Sequence, residues 1–224
     1  MLADRAELVG EGLACRRGER LVFAGLDCRL AVGGALVLTG SNGSGKSSFL
    51  RLLATLLAPA EGCLSWAGAP VAGDLPSHRA RLHYVGHLDA TKGALTPREM
   101  LRFWAALRGV TAPGLDAAIE AALNHFGLLT VADWPCRWLS AGQRRRLALA
   151  RLLAAPATLW LLDEPTAALD RDGETRLAAV IAEHCAGGGR VAIATHQPLA
   201  LNGAETISLN DFAVPPDRAL AALW

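Results

Sequence analysis

The sequence predicts an α/β fold built around a mainly parallel sheet, and three observations carry that reading. Short apolar runs at 35–39, 158–162 and 191–194 alternate with segments of helical spacing. That is the pattern of strands buried on both faces by their crossover helices. A glycine-rich segment, 40–47, joins the first run directly to a helical pattern. The second run ends in two carboxylates, Asp163 and Glu164, at the strand edge where open parallel sheets bind ligands.

The glycine-rich segment is Gly40, Ser41, Asn42, Gly43, Ser44, Gly45, Lys46, Ser47, glycine, four residues, then Gly-Lys-Ser. Strand, glycine loop and helix make this spacing a phosphate cradle. The glycines let successive N–H groups converge on phosphate oxygens, and the new helix adds the positive end of its dipole. Lys46 is placed to reach the β- and γ-phosphates, and the Ser47 hydroxyl to ligate Mg²⁺, with Ser48 on the same first turn. A merely flexible turn needs neither the lysine nor the hydroxyl at that offset. Asp163 would hold the same Mg²⁺, directly or through water, and Glu164 would polarise an attacking water.

The bulk properties bound what surrounds this site. The 224 residues suffice for one sizeable domain. Hydrophobic residues make up 52 % and the mean hydropathy is +0.27, which suggests apolar surface that meets a partner. No run of about 18 apolar residues is free of charge or proline, and the N-terminus has no apolar signal core. A position in the cytosol, or on the cytosolic side of a membrane, is therefore expected. The net charge of +1, from 22 basic and 21 acidic residues, makes no electrostatic case for nucleic acid. Cys15, Cys28, Cys63, Cys136 and Cys185 are scattered with no C-x-x-C pair or C-x-x-C-H motif. They fit reduced core thiols rather than a zinc, redox or haem-attachment site.

In chain order, 8–15 and 21–30 read as strands around a charged turn at 16–20. Residues 35–39 are the strand feeding the phosphate loop, and 48–57 the helix after it, stopped by Pro59 and Gly62. Residues 63–66 read as a short strand, 69–80 as loop and 81–85 as a strand. Thr96, Pro97 and Glu99 carry a threonine cap, a first-turn proline and a capping-box glutamate. The helix they start runs to about 108, and a second one covers 115–126. Ser140 and Gln143 form another capping box, opening a helix to about 155. Helical spacing returns at 170–185, and 206–209 reads as a last strand.

The segment Leu139, Ser140, Ala141, Gly142, Gln143 resembles the signature of ABC-type ATPases, usually Leu-Ser-Gly-Gly-Gln. With 40–47, Asp163 and Glu164, the segment 168–170 and His196, it makes five motifs in that family's order, over nearly the whole chain. The resemblance implies a P-loop NTPase (RecA-like) core, mainly parallel, with an antiparallel β subdomain and a helical subdomain. The core would span about 1–90 and 150–224, and the helical insert about 91–149. Physically, the start of the helix at Ser140 is a second anion site. The resemblance implies that Ser140, Gly142 and Gln143 bind the γ-phosphate of ATP held by a second copy of the chain. It also implies that His196 contacts the γ-phosphate and the attacking water, and that Asp170 makes a dimer contact. The three arginines 144–146 read as a solvated helix face.

Two positions depart from the wider family. Arg17 stands where an aromatic residue usually stacks on adenine; guanidinium stacking can substitute. His87 stands where a glutamine usually links Mg²⁺ and water to the transport partner, and histidine makes that link pH-sensitive. Residues 84–87, 92–96, 157–160 and 195–199 resemble the haem-export ATP-binding subunit of bacterial cytochrome c maturation, the CcmA type. That resemblance implies small membrane partners of the CcmB, CcmC and CcmD kind acting on the haem chaperone CcmE, at the cytoplasmic face of the inner membrane. No residue here suggests a direct haem ligand. The rival expectations are an exporter of another substrate, such as a drug or lipid, and a soluble ABC regulatory or mechanical ATPase. Glu164 and His196 speak against a non-hydrolysing module. The lack of a coiled coil, a second ATPase unit or basic arms speaks against a mechanical one.

Overall fold

A computed structural model describes residues 7–110, 113–196, 201 and 203–214. The strands are β1 (Leu8–Arg17), β2 (Arg20–Leu30), β3 (Ala35–Thr39), β4 (Glu61–Trp66), β5 (Ala69–Pro70), β6 (Leu82–Val85), β7 (Leu159–Asp163), β8 (Arg190–Ala194) and β9 (Glu205–Ser208). The helices are α1 (Lys46–Leu53), α2 (Leu75–Ala80), α3 (Pro97–Leu107), α4 (Leu115–His125), α5 (Ala141–Ala154) and α6 (Arg171–Ala186).

Two sheets form. One is parallel throughout, in the order β6-β7-β8-β3-β9. The other is antiparallel, β2-β1-β4-β5. In the parallel sheet β3 lies between two later strands, with Val37 opposite both Ile193 and Thr206. Period-2 alternation divides the core across it. Trp160, Leu162, Val191 and Ile193 join α3, α4, α5 and α6 in one hydrophobic cluster. Leu36, Leu38, Leu159, Leu161, Ala192 and Ala194 join α1 and the antiparallel sheet in the other. The parallel sheet is therefore a wall buried on both sides, and its functional groups emerge only at the strand ends.

Several boundaries differ from the sequence expectation. The helix expected at 48–57 ends at Leu53. There the N–H of Leu56 bonds to Arg51 O and that of Thr55 to Leu52 O, with Thr55 at φ 56°. This paired closure reverses the chain before Pro59 is reached. The expected charged turn at 16–20 is tighter: Arg17 pairs with Arg20 across Gly18 and Glu19, and Gly18 takes φ 59°. Residues 69–80 are not loop but a two-residue strand, a 3₁₀ turn and α2. Asp74 caps α2 by accepting from Ser77 N at 3.1 Å, and Leu75 and Pro76 supply its first turn. Both expected capping boxes are present, Thr96 with Glu99 and Ser140 with Gln143. At Gly62, φ 80°, an added Cβ would lie 2.3 Å from Glu11 O, so only glycine lets β4 approach β1 there.

Candidate active site

The phosphate loop leaves β3 and enters α1 through three glycines with left-handed backbones, Gly40 (φ 136°), Gly43 (φ 83°) and Gly45 (φ 107°). Gly45 is the N-cap of α1 and makes no side-chain cap bond. The first N–H groups of α1 therefore face the loop without a side-chain acceptor, which is the local requirement for an anion site. Space also demands glycine: a Cβ on Gly45 would lie 2.9 Å from Phe23 and Val22. Lys46 is buried, and its Nζ donates to Gly40 O (2.7 Å) and Ser41 O (3.2 Å). Ser41 is held from outside the loop: its N–H (3.2 Å) and hydroxyl (3.0 Å) both donate to Asn210 Oδ1. Buried Ser44 keeps its hydroxyl without a partner among the described residues.

β7 delivers the carboxylates. Ser47 Oγ donates to Asp163 Oδ1 at 2.9 Å. The other oxygen, Oδ2, is buried with no hydrogen-bond donor among the described residues, and Asp163 is 1 % exposed. A desolvated carboxylate oxygen beside a hydroxyl is a donor set that suits a hard cation such as Mg²⁺. Behind it the Tyr84 hydroxyl accepts from Arg51 Nε at 3.4 Å. Burial raises the Tyr84 pKa, so the phenol stays protonated. Glu164 adopts φ 49° and its N–H donates to Ala194 O at 2.8 Å. Its Oε2 lies 2.9 Å from His196 Nδ1, with the His196 side chain 59 % exposed.

These groups open on one cleft of about 590 Å³, whose walls include Asn42, Lys46, Ser47, His87, Glu164 and His196. Arg17 and Arg20 line its mouth, and Arg17 Nη1 donates to Ser48 Oγ at 3.4 Å. Segments far apart in the chain are thus brought to one place. The signature residues are not. Ser140 Oγ accepts from Gln143 N (3.2 Å), Gln143 Oε1 accepts from Ser140 N (2.8 Å), and neither they nor Gly142 line the cleft. Gly142 packs against the neighbouring turn, where a Cβ would meet Ala168 O at 2.9 Å. Asp170 caps α6, accepting from Gly173 N at 2.9 Å.

The arginines 144–146 correct the expectation of a solvated face. Arg145 is 2 % exposed and binds inward-facing carbonyls. Arg144 donates to Leu139 O, and Arg146 to Phe126 O at 3.4 Å. Sequence reasoning also missed Asn210 and Arg20. Asn210 lies 169 positions from Ser41 and in no motif, so nothing local signals it. The resemblance segment 195–199 falls partly outside the described residues, since 197–200 are not described.

The family model described as "ABC transporter" matches residues 23–167. The fold is that of an ABC transporter ATP-binding protein from Pyrococcus furiosus, with a TM-score of 0.82 at 22 % identity over 93 % of this chain and all of that one. The sequence is 56 % identical to the "Cytochrome c biogenesis ATP-binding export protein CcmA" of Rhodospirillum rubrum, over 96 % of this chain and 90 % of that protein. It is 54 % identical to the protein of the same name from Paramagnetospirillum magneticum, over 91 % and 94 %. The chain belongs to the ABC transporter ATP-binding family, and within it to the CcmA type. It binds and hydrolyses ATP, the activity that defines the class.

Proposed function

We propose that this chain is the ATP-hydrolysing subunit of a membrane export complex of cytochrome c biogenesis, driving haem export or release from its chaperone. Its partners are a second copy of itself and small membrane subunits of the CcmB, CcmC and CcmD kind. No helix among the described residues is long and apolar enough to cross a membrane, so a peripheral place on the cytoplasmic face of the inner membrane fits. A core of about 1–90 and 150–224 carries the phosphate loop, and the helical insert of about 91–149 carries the signature.

The observation that supports this reading best is the meeting of Ser47, Glu164 and His196 at one cleft on the phosphate loop, with Asp163 bonded to Ser47. Residues 40–48 cradle the phosphates through backbone N–H groups, and Lys46 turns its ammonium from the Gly40 and Ser41 carbonyls to the β- and γ-oxygens. Ser47 and Asp163 hold Mg²⁺, which when bound neutralises phosphate charge. Glu164 takes a proton from the attacking water as general base. His196, 2.9 Å from it, orients the Glu164 carboxylate and the γ-phosphate. Arg17 stacks on the base and His87 reports the site's state to the membrane subunits. Ser140, Gly142 and Gln143 of the second copy close over the γ-phosphate, since they do not line the cleft of their own chain.

The test is Glu164→Gln. Turnover should fall by about 10²-fold or more, while ATP binding persists and ATP drives a stable dimer seen by light scattering. Steady-state hydrolysis near the parental rate would remove Glu164 from its role. A pull-down in mild detergent identifies the membrane subunits and tests the export assignment separately.

A further inference from the structure

A guanidinium carries five N–H donors in a rigid plane. In Arg145 every one of them has an acceptor, and the acceptors come from two separate segments. Nε donates to Pro165 O (3.2 Å). Nη2 donates to Asp163 O (2.8 Å) and Glu164 O (2.7 Å). Nη1 donates to Gly86 O (2.9 Å) and Asp89 Oδ1 (3.2 Å). The side chain is 3 % exposed, and Asp89 is its one carboxylate partner, itself 23 % exposed. Burying a charge this fully is costly unless every donor is matched, and here the match is complete.

The atoms held are those that aim the chemistry. Glu164 sits in the left-handed region at φ 49°, a conformation unfavourable for a non-glycine residue. Its N–H is fixed by Ala194 O, and its carbonyl, with those on either side, by Arg145. Both faces of its peptide frame are thereby pinned, and the carboxylate is left to reach His196 and the cleft. The same guanidinium grips residues 86 and 89, which flank His87. It also stands on α5, two residues beyond Gln143 of the capping box.

We infer that Arg145 is a positioning residue for hydrolysis: it holds Glu164 in register with the 86–89 turn and the start of α5. This rests on the reading of Glu164 as general base. A lysine at 145 keeps the charge but offers three donors on a flexible stem and cannot serve five planar acceptors.

Arg145→Lys should lower kcat by about tenfold with KM for ATP within about twofold, because misaiming a base costs rate rather than binding. In single-turnover assays the Arg145→Lys/Glu164→Gln double variant should hydrolyse at the rate of Glu164→Gln alone, the non-additivity expected when one residue acts through the other. Asp89→Asn, at a partly exposed position, should lower kcat by about twofold to threefold with ATP affinity unchanged, and it decides the matter if Arg145→Lys fails to fold. The inference is overturned by a parental kcat in Arg145→Lys, by kcat losses that multiply in the double variant, or by a parental kcat in Asp89→Asn. Parental hydrolysis by Glu164→Gln itself strikes instead at the general base, so the two failures are told apart.

Discussion

The two edges of the parallel sheet use their polar groups differently. At the edge where β6 and β7 begin, polar groups are spent on the chain. Arg108 donates to Leu82 O (2.6 Å), Ala80 O (2.8 Å) and Pro156 O (3.2 Å). His83 Nε2 is paired with Ala155 O. The His184 ring stacks on Trp160 at 3.7 Å with 6° between planes. At the edge where β3, β7 and β8 end, Ser44 Oγ and Asp163 Oδ2 are buried without partners among the described residues, and Glu164 holds a left-handed backbone. Buried polar groups are normally satisfied. The first edge is mostly paired, with Arg108 Nε and Trp160 Nε1 left over among the described residues, and it stabilises the fold; at the second the unpartnered atoms are oxygens on or beside the phosphate loop, kept for a ligand.

Three changes sharpen this contrast. The largest effect is expected from Asp163→Asn. The amide oxygen still accepts from Ser47, but the cation-binding charge is gone, so ATP turnover should drop by about 10²-fold or more. The melting temperature should hold or rise, because a desolvated buried carboxylate has been replaced by a neutral amide. A calorimetric scan that falls together with activity would make Asp163 a structural residue.

The second concerns pH. Burial, the dominant cause, pushes the pKa of His83 down to about 3 and that of His184 down to about 4, from an ordinary 6.5. Because the folded values are lower, the unfolded chain takes up protons first as the pH falls. Stability from these groups is complete above about 6.5 and declines below it at about 1.4 kcal/mol per pH unit for each histidine. The His184 contribution is exhausted near pH 4 and that of His83 near pH 3. Denaturant titrations between pH 6.5 and 5 should show the slope, and His184→Gln should make it shallower; an unchanged slope contradicts the assignment.

The smallest effect is expected from Arg108→Ala, which removes the donor to three carbonyls. It should cost roughly 1–3 kcal/mol while leaving kcat per folded molecule unchanged. A selective loss of kcat would mean that the two edges are not separable.

What could be read from the residues alone follows the range of the interactions. The loop at 40–47 is written in contiguous residues because its geometry is local, and so are the two capping boxes. Asp163 and Glu164 were legible once the apolar run before them was read as a buried strand. Arg145 was not, since an arginine between two others on a helix looks solvated until the tertiary fold turns it toward five acceptors. Asn210 was equally silent, its role arising only where β9 runs beside β3. The end of α1 was misjudged because Leu56 and Leu57 prolong the apolar pattern, whereas Thr55 reverses the backbone. α2 escaped notice because six residues show too little periodicity.

The place of β3 in the sheet also bears on how the protein is made. Both strands that flank it, β8 and β9, are synthesised roughly 150 residues later. At about 5–20 residues per second, the apolar strand Leu36, Val37, Leu38 waits on the order of ten to thirty seconds for its neighbours. The phosphate loop waits as long for Asn210. The nucleotide site is therefore completed well after its phosphate loop is made, and the apolar β3 is open to aggregation in the interval.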